Sequence, residues 1–155
     1  MKVSFTVLGT PQGKGRPRFT KVGNYVRTYT PSETVSYENL VKIEYRRQCK
    51  DYRFEEGTPL DVRIMAYYDI PKSASKKKRQ QMINHQLRPM KKPDNDNIIK
   101  CVLDALNQVA YKDDVQVADC QIRKFYSENP RIVVTITESL PIVKRGDKGG
   151  QRTEI

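Results

Sequence analysis

Alternating apolar and polar positions predict strands at several places along the chain. Near the N-terminus, Val3, Phe5 and Val7 alternate with polar residues, as side chains do on a strand that buries one face. The same alternation recurs further along, together with β-branched and aromatic residues. It predicts strands over residues 2–8, 25–29, 61–69, 116–126 and 131–138.

A helix is predicted to begin directly after the short strand at 25–29. In Thr30-Pro31-Ser32-Glu33 a threonine stands at the N-cap, a proline at the first helical position, and a glutamate where it closes a capping box. We expect this helix to end near Cys49. Its expected inward-facing residues are Val35, Leu40, Val41 and Ile43.

A second long helix is predicted from near Pro93 to near Val109, where apolar residues recur on one side. Residues 73–86 are polar and basic and predict a short helix capped by Ser75. Residues 9–24 are rich in glycine, proline and basic residues and predict a loop.

The predicted elements follow one another in the order β-(β)-α-β-α-β-β. This order indicates an α+β fold in which helices pack on a small mixed β-sheet. The length of 155 residues suits one domain of ordinary size. We expect that domain to cover residues 1–140 and a flexible C-terminal tail to cover 141–155.

The net charge of +11 indicates a polyanionic partner, most simply a nucleic acid. No apolar run approaches the roughly 18 residues that cross a bilayer, so we expect no membrane association. The first residues lack the apolar segment of an export signal, and a cytoplasmic location is therefore expected. Three widely spaced cysteines and one histidine form no zinc pattern.

The charge is concentrated in separate segments. Residues 1–32 carry six basic residues and no acid, and residues 71–92 carry eight basic residues and no acid. Residues 94–119, by contrast, contain six of the 18 acids. We expect the basic segments to contact DNA phosphates. The candidate DNA-binding residues are Lys14, Arg16, Arg18, Lys76, Lys77, Lys78 and Arg79.

The second helix places Asp96, Lys100 and Asp104 in a row at spacings of four residues. Asp94 lies just before the helix, where an extended backbone could aim its carboxylate at the same point as that of Asp96. One interpretation is ordinary: an aspartate caps the helix and the row is a surface ion-pair ladder. That interpretation explains one of the two leading aspartates better than it explains both.

Another pair of acids, Asp113-Asp114, follows the helix and precedes a predicted strand. Alone, the pair would indicate a solvated turn. In a chain of this positive charge, however, several carboxylates near one another suggest a bound cation. Carboxylate oxygens suit a hard ion such as Mg²⁺, with Mn²⁺ as a substitute. A nearby lysine could neutralise a phosphate oxygen during an in-line attack.

The glycine-rich stretch Gly9-Thr-Pro-Gln-Gly13-Lys14-Gly15 resembles a nucleotide-binding P-loop only superficially. Its glycine spacing is one residue short, and no serine or threonine follows the lysine. We therefore expect no nucleotide cofactor.

Three blocks of sequence together resemble the RusA family of Holliday junction resolvases. They are Lys92-Pro-Asp-Asn-Asp-Asn-Ile-Ile-Lys100, Leu103-Asp-Ala-Leu-Asn107 and Tyr111-Lys-Asp-Asp-Val-Gln116. The opening loop Gly9–Arg18, the motif Tyr29-Thr-Pro31 with Tyr37-Glu38, and the basic stretch 71–79 are similar to the family as well. The basic stretch resembles phage and prophage members in particular.

The resemblance implies a RusA-like fold and a homodimeric endonuclease that resolves four-way DNA junctions with Mg²⁺. By position, Asp94, Asp96 and Asp114 match the family's metal-binding acids, and Lys100 matches its catalytic lysine. Asp113 ranks below its neighbour Asp114. Two alternatives stay open: a nuclease of flaps or other branched DNA, and a non-catalytic basic DNA-binding module whose acids are structural caps.

Overall fold

The computed structural model describes residues 1–14, 18–29 and 32–141, with the backbone alone for residues 18–22, 25, 27–29, 32 and 33. The predicted tail, apart from residue 141, lies outside the described residues. The strands are β1 (Lys2–Leu8), β2 (Arg18–Val22), β3 (Tyr25–Tyr29), β4 (Leu60–Asp69), β5 (Val117–Ser127) and β6 (Arg131–Glu138). The helices are α1 (Ser32–Cys49), α2 (Lys76–Ile83), α3 (Asn95–Leu106) and a 3₁₀ turn, Asp114–Gln116.

Four of the strands form a mixed sheet in the order β1-β6-β4-β5. The edge pair β4–β5 is parallel, whereas β1–β6 and β4–β6 are antiparallel. The parallel pair is connected through α2 and α3, as a parallel connection requires a crossover. The predicted α+β fold, with helices on a small mixed sheet and this order of elements, is confirmed.

One face of the sheet forms the core with α1 and α3. Phe5 and Val7 of β1 are at most 2% exposed, as the alternation at the N-terminus predicted. The inward residues of β4, β6 and α3 are equally buried. They include Val62, Ile64, Ala66, Tyr68, Ile98, Val102, Ile132, Val134 and Ile136. Burial of apolar surface here, at about 25 cal/mol per Å², fixes both helices against the sheet.

The prediction for the inner face of α1 is wrong for three of four residues. Val41 is fully buried, but Val35, Leu40 and Ile43 are exposed. The core face is formed by Tyr37, Val41 and Tyr45, which follow one another at the i, i+4 spacing of a helix face. The prediction considered aliphatic residues alone, whereas a tyrosine buries a large ring once its hydroxyl has a partner. Tyr45 donates to the backbone carbonyl of Tyr52.

The predicted loop at 9–24 contains a strand that the sequence did not reveal. β2 pairs with β3 as a two-stranded antiparallel hairpin separate from the main sheet, with Val22 opposite Tyr25. Gly23, at φ +61°, makes this two-residue turn possible. The strand was missed because three of its five residues, Arg18 to Val22, are polar or charged, and because the residues around it are rich in glycine and proline.

The remaining elements lie close to their predicted ranges. α1 ends at Cys49 as predicted, while its predicted cap, Thr30-Pro31, lies outside the described residues. The hydroxyl of Ser75 accepts from Lys78 N and caps α2, which confirms that assignment. α3 ends at Leu106, three residues before the predicted end. Across the part of the chain described here, no helix has the length and apolar character needed to cross a membrane.

Candidate functional site

Asp94 and Asp96 lie at the start of α3 and are exposed. Asp94 is the N-cap residue with an extended backbone, yet its side chain accepts no capping bond from the helix backbone. Its Oδ1 accepts instead from Asn97 Nδ2 at 2.6 Å. Asp96 stands in the first turn, where the positive end of the helix dipole favours a carboxylate. The interpretation of Asp94 as an ordinary side-chain cap is therefore wrong.

Side chains from β4 and β5 hold residues 91–93, the segment that leads into α3. The hydroxyl of Tyr68, on β4, donates to the carbonyl of Pro93. Lys124, on β5, donates to the carbonyl of Lys91 at 2.8 Å and lies 4.9 Å from the Tyr68 ring. Burial, with a smaller contribution from the charge of Asp94, raises the pKa of Tyr68 to about 12. Tyr68 therefore stays protonated and keeps donating.

Further along the polar side of α3, Asp104 is the centre of a charged cluster. Its Oδ2 lies 2.9 Å from Lys14 Nζ and 4.0 Å from Lys100 Nζ. Lys14 Nζ also lies 2.9 Å from Glu38 Oε1 of α1. Burial lowers the pKa of Lys14, but hydrogen bonds to Glu38 and Asp104 outweigh that effect and raise the pKa above its usual 10.5. Lys14 is therefore a charged link between two carboxylates.

Asp114 is brought back toward α3 by the chain that follows the helix. Tyr111 is fully buried and donates to the carbonyl of Leu103 at 2.8 Å. Asn107 Oδ1 accepts from the backbone N–H of Asp114 at 2.9 Å. Asp113 accepts from Val115 N and caps the 3₁₀ turn, so its role in the structure differs from that of Asp114.

The carboxyl group of Asp114 is affected by the charges on α3. Burial makes the largest contribution to its raised pKa. The hydrogen bond to Asp113 and the charges of Asp113 and Asp104 raise the pKa further. Lys100 has the opposite effect. Asp114 therefore lies within electrostatic range of Lys100, which is one helical turn from Asp96. Residues four apart on a helix are neighbours, with about 6 Å between Cβ atoms.

The proposed acids thus occur as two groups along one side of α3. Asp94 and Asp96 lie at its start, and Asp114 lies beside Lys100 and Asp104 further along. Ten residues of helix separate Asp94 from Asp104, about 15 Å along the axis. Among the residues that the structure describes, no three His, Cys, Asp or Glu side chains form a group able to hold a metal ion.

The candidate DNA-binding residues differ in availability. Lys76, Lys77 and Lys78 are exposed on α2. Arg79 is paired with Glu128 at 3.0 Å, and Lys14 is engaged by two carboxylates. Arg16 lies outside the described residues, and only the backbone of Arg18 is described, in β2.

Three contributors to this region were not assigned a role from the sequence. Glu38 and Asn97 belong to sequence motifs that gave them no individual role, and Tyr68 lies within a predicted strand. Glu38 could not be connected to Asp104 beforehand, because the contact joins α1 to α3 through a lysine from a loop.

Comparison with known proteins identifies the family of the chain. The family described as Endodeoxyribonuclease RusA matches residues 9–137. The uncharacterized protein YqaN of Bacillus subtilis (strain 168) is 38% identical over 138 residues, which is 88% of this chain and 96% of that protein. The family match thus defines the class of the protein as a nuclease that hydrolyses DNA within the strand. The chain belongs to the RusA endodeoxyribonuclease family.

Proposed function

We propose that the protein is a Mg²⁺-dependent endonuclease that resolves four-way DNA junctions by paired, symmetric phosphodiester hydrolysis in recombination and repair. The observation that carries the proposal is the single polar stripe of α3. Asp96 and Lys100 lie on it, Asp94 directly precedes the helix, and the contacts of Tyr111 and Asn107 bring Asp114 back toward it. Asp94, Asp96, Lys100 and Asp114 are the proposed catalytic residues.

Asp94, Asp96 and Asp114 are the residues that would hold the metal. Their donor set consists of carboxylate oxygens alone, which is the chemistry that Mg²⁺ and Mn²⁺ prefer. When bound, the ion would lower the pKa of a water and stabilise negative charge on the scissile phosphate. Burial, Asp113 and Asp104 raise the pKa of Asp114, and a cation bound beside it would favour the ionised form of its carboxyl group.

Lys100 is the proposed partner of the scissile phosphate. Its side chain is 64% exposed, and its only ion-pair contact within the described residues is the long one to Asp104, at 4.0 Å. The ammonium is therefore available to an incoming phosphate oxygen, where it would offset the charge that develops during attack. We expect the products to carry a 5′-phosphate and a 3′-hydroxyl.

Helix α2 is the proposed contact with the DNA backbone. Lys76, Lys77 and Lys78 extend into solvent at its first turn. Arg79 anchors the helix to the turn between β5 and β6 through Glu128. Lysines that bind phosphates give affinity and orientation without base specificity, which suits recognition of a branched shape.

A homodimer is the proposed active form. A four-way junction has two equivalent strands to cut, and two-fold symmetry would place one active site on each. The protein would act on DNA in the cytoplasm, without a nucleotide cofactor.

The central test replaces Asp96 by Asn and measures cleavage of a labelled mobile four-way junction across a Mg²⁺ titration. We expect cleavage to fall by at least about 10³-fold, since loss of a charged ligand removes most of the metal's effect. Junction affinity should stay within about threefold, because Asp96 carries no positive charge. Asp51→Asn, an exposed aspartate at the end of α1, is the matched control and should cleave normally.

The same experiment separates the alternatives. Cleavage of flaps but not junctions by the parent protein would favour a nuclease of other branched DNA. Salt-sensitive binding without cleavage of any substrate would favour a binding module. Equal cleavage by Asp96→Asn and the parent would refute the site assignment.

A further inference from the structure

The loop that follows β1 packs closely onto the start of α3. At Gly13 a Cβ atom would lie 2.8 Å from the Cβ of Asn97 and 2.9 Å from the Cβ of Pro93. Real Cβ atoms do not approach that closely, so any other residue would push the loop away from the helix. Pro93 directly precedes Asp94, and Asn97 donates to its carboxylate. Gly13 thus touches both residues that hold Asp94 in place.

Lys14 fixes the same loop at two levels. Its backbone N–H donates to the carbonyl of Asn97 at 3.0 Å. Its ammonium lies 2.9 Å from Glu38 Oε1 and 2.9 Å from Asp104 Oδ2. The three side chains are mostly buried, with 17 to 24% of their surface exposed. Charged hydrogen bonds at this depth are stronger than those at an open surface.

Two carboxylates lie against the Lys14 ammonium. It donates to Asp104 Oδ2 at 2.9 Å and forms an ion pair with Glu38 Oε1 at the same distance. A DNA phosphate would have to compete with two anions already in place. The sequence-based prediction that Lys14 contacts DNA therefore fits the structure less well than a role within the protein.

We propose that Gly13 and Lys14 form a clamp that positions the acids of α3, and that Lys14 is a positioning residue of the nuclease and does not contact DNA. The clamp ties β1's loop to α1 through Glu38 and to α3 through Asp104 and Asn97. It holds the loop against α3 at two points, at the start of the helix through Asn97 and further along it through Asp104. The proposal rests on the proposed function in so far as these acids perform the cleavage.

The test compares Lys14→Met, which keeps the length of the side chain and removes its charge, with Lys14→Arg, which keeps the charge. For Lys14→Met we expect kcat to fall about 10- to 100-fold, while the Kd for DNA changes less than about threefold. The slope of log Kd against log salt concentration should be unchanged, because no phosphate contact is lost. Lys14→Arg should recover a large part of kcat.

Two controls separate the clamp from general stability. Arg46→Met breaks an exposed pair with Asp51, which is 3.7 Å away on the far end of α1, and should leave kcat unchanged. Gly13→Ala should lower kcat, whereas Gly57→Ala should affect only stability. Gly57 has φ +82° and open space around it, so its substitution strains the backbone without displacing a neighbour.

Each outcome decides the matter. A salt slope reduced by about one with normal kcat in Lys14→Met would show a phosphate contact and overturn the clamp. Normal kcat in Lys14→Met with an unchanged slope, or a fall in kcat that Lys14→Arg does not recover, would also overturn it. If Lys14→Met does not fold, the charge-balanced Lys14→Met/Glu38→Gln variant is measured in its place. All assays use whichever DNA the parent cleaves, so a parent inactive on junctions counts against the proposed function and not against the clamp.

Discussion

The surroundings of Asp114 disfavour the charged form of its carboxyl group. The backbone N–H of Asp114 donates to Asn107, and Asp113 and Asp104 add negative charge around its carboxyl group. Burial and these neighbours raise its pKa above 3.8, so the ionised form is disfavoured in the folded protein. The upward shift of this pKa determines how stability depends on pH. Stability falls as the pH rises from below 3.8 through the raised pKa, and the full cost is present at neutral pH.

Asp114→Asn should therefore stabilise the metal-free protein while abolishing cleavage. At pH 7 we expect a gain below about 1 kcal/mol, since the carboxyl group is partly exposed and its interactions are screened. For a chain of this size that is at most about 2–4 °C in Tm. Thermal unfolding followed by circular dichroism in chelator, between pH 7.5 and 4, measures the difference. The gain should shrink toward low pH, where the parent's carboxyl group becomes protonated.

Asp51→Asn is the control for this measurement. Asp51 is exposed and contacts only Arg46, at 3.7 Å, among the ion pairs of the described residues. Its substitution should not raise Tm. A loss of stability in Asp114→Asn at pH 7 would contradict the electrostatic account of this site.

At the scale of elements, α2 is a short helix whose first turn carries exposed lysine side chains. Its N-cap bond from Ser75 and the buried Met82 hold it in place, and Arg79 ties it to Glu128. The side chains of Lys77 and Lys78 take no part in these contacts; only the backbone N–H of Lys78 does, as the donor to Ser75. A helix fixed by a cap, a core residue and one ion pair can present its remaining lysines to DNA without rearranging.

Lys77→Glu combined with Lys78→Glu should weaken junction binding about 10-fold or more at moderate salt. If both lysines contact phosphates, the slope of log Kd against log salt should fall by about two. Filter binding or fluorescence anisotropy over 50 to 300 mM salt, roughly the range in which counterion release dominates, measures both quantities.

Lys42→Glu with Lys50→Glu is the charge-matched control, because both residues belong to α1 or its end and neither lies in the basic segment. It should change the affinity much less than the α2 variant. Equal slopes for the two double variants would remove α2 from the interface.

The sequence predicted elements well where one physical signal dominated. Strict alternation identified β1, β4 and β6, and the Ser75 cap identified α2. Prediction from the sequence failed where apolar and polar positions gave no single pattern. The core side of α1 consists largely of tyrosines, whose polar hydroxyls hide their inward position. β2 is stabilised by pairing with β3 and by a turn at Gly23, neither of which is visible in its own residues.

The candidate site was predictable in composition and less so in arrangement. The spacing of Asp96, Lys100 and Asp104 was readable because a helix has a fixed period. The return of Asp114 depends on Tyr111 reaching the carbonyl of Leu103, a contact between segments. The engagement of Lys14 by Glu38 and Asp104 joins three separate elements. Such long-range contacts follow from packing, which no local pattern encodes.

For the whole molecule, the candidate acids lie on one side of the sheet. Helices α1 and α3 cover one face, and the candidate acids lie along α3 on that side. All four proposed catalytic residues belong to one continuous segment, 94–114, of a single chain. Each protomer of the proposed dimer would then carry a complete site of its own, and a dimer would carry two independent ones.

This organisation makes a quantitative prediction for mixtures of active and inactive protomers. Asp96→Asn and parent chains are co-expressed with different tags at several ratios, so that dimers form at random. Paired cleavage of a junction requires two active protomers in one dimer, and its rate should fall with the square of the parent fraction. Nicking of one strand requires only one and should fall linearly. At about one parent chain in ten, heterodimers outnumber parent homodimers by about 18 to one, and nicked junctions should accumulate.

Denaturing gels that score both labelled strands distinguish the two products. Paired cleavage that declines linearly would show that each protomer cuts alone, and would exclude the dimer as the resolving unit.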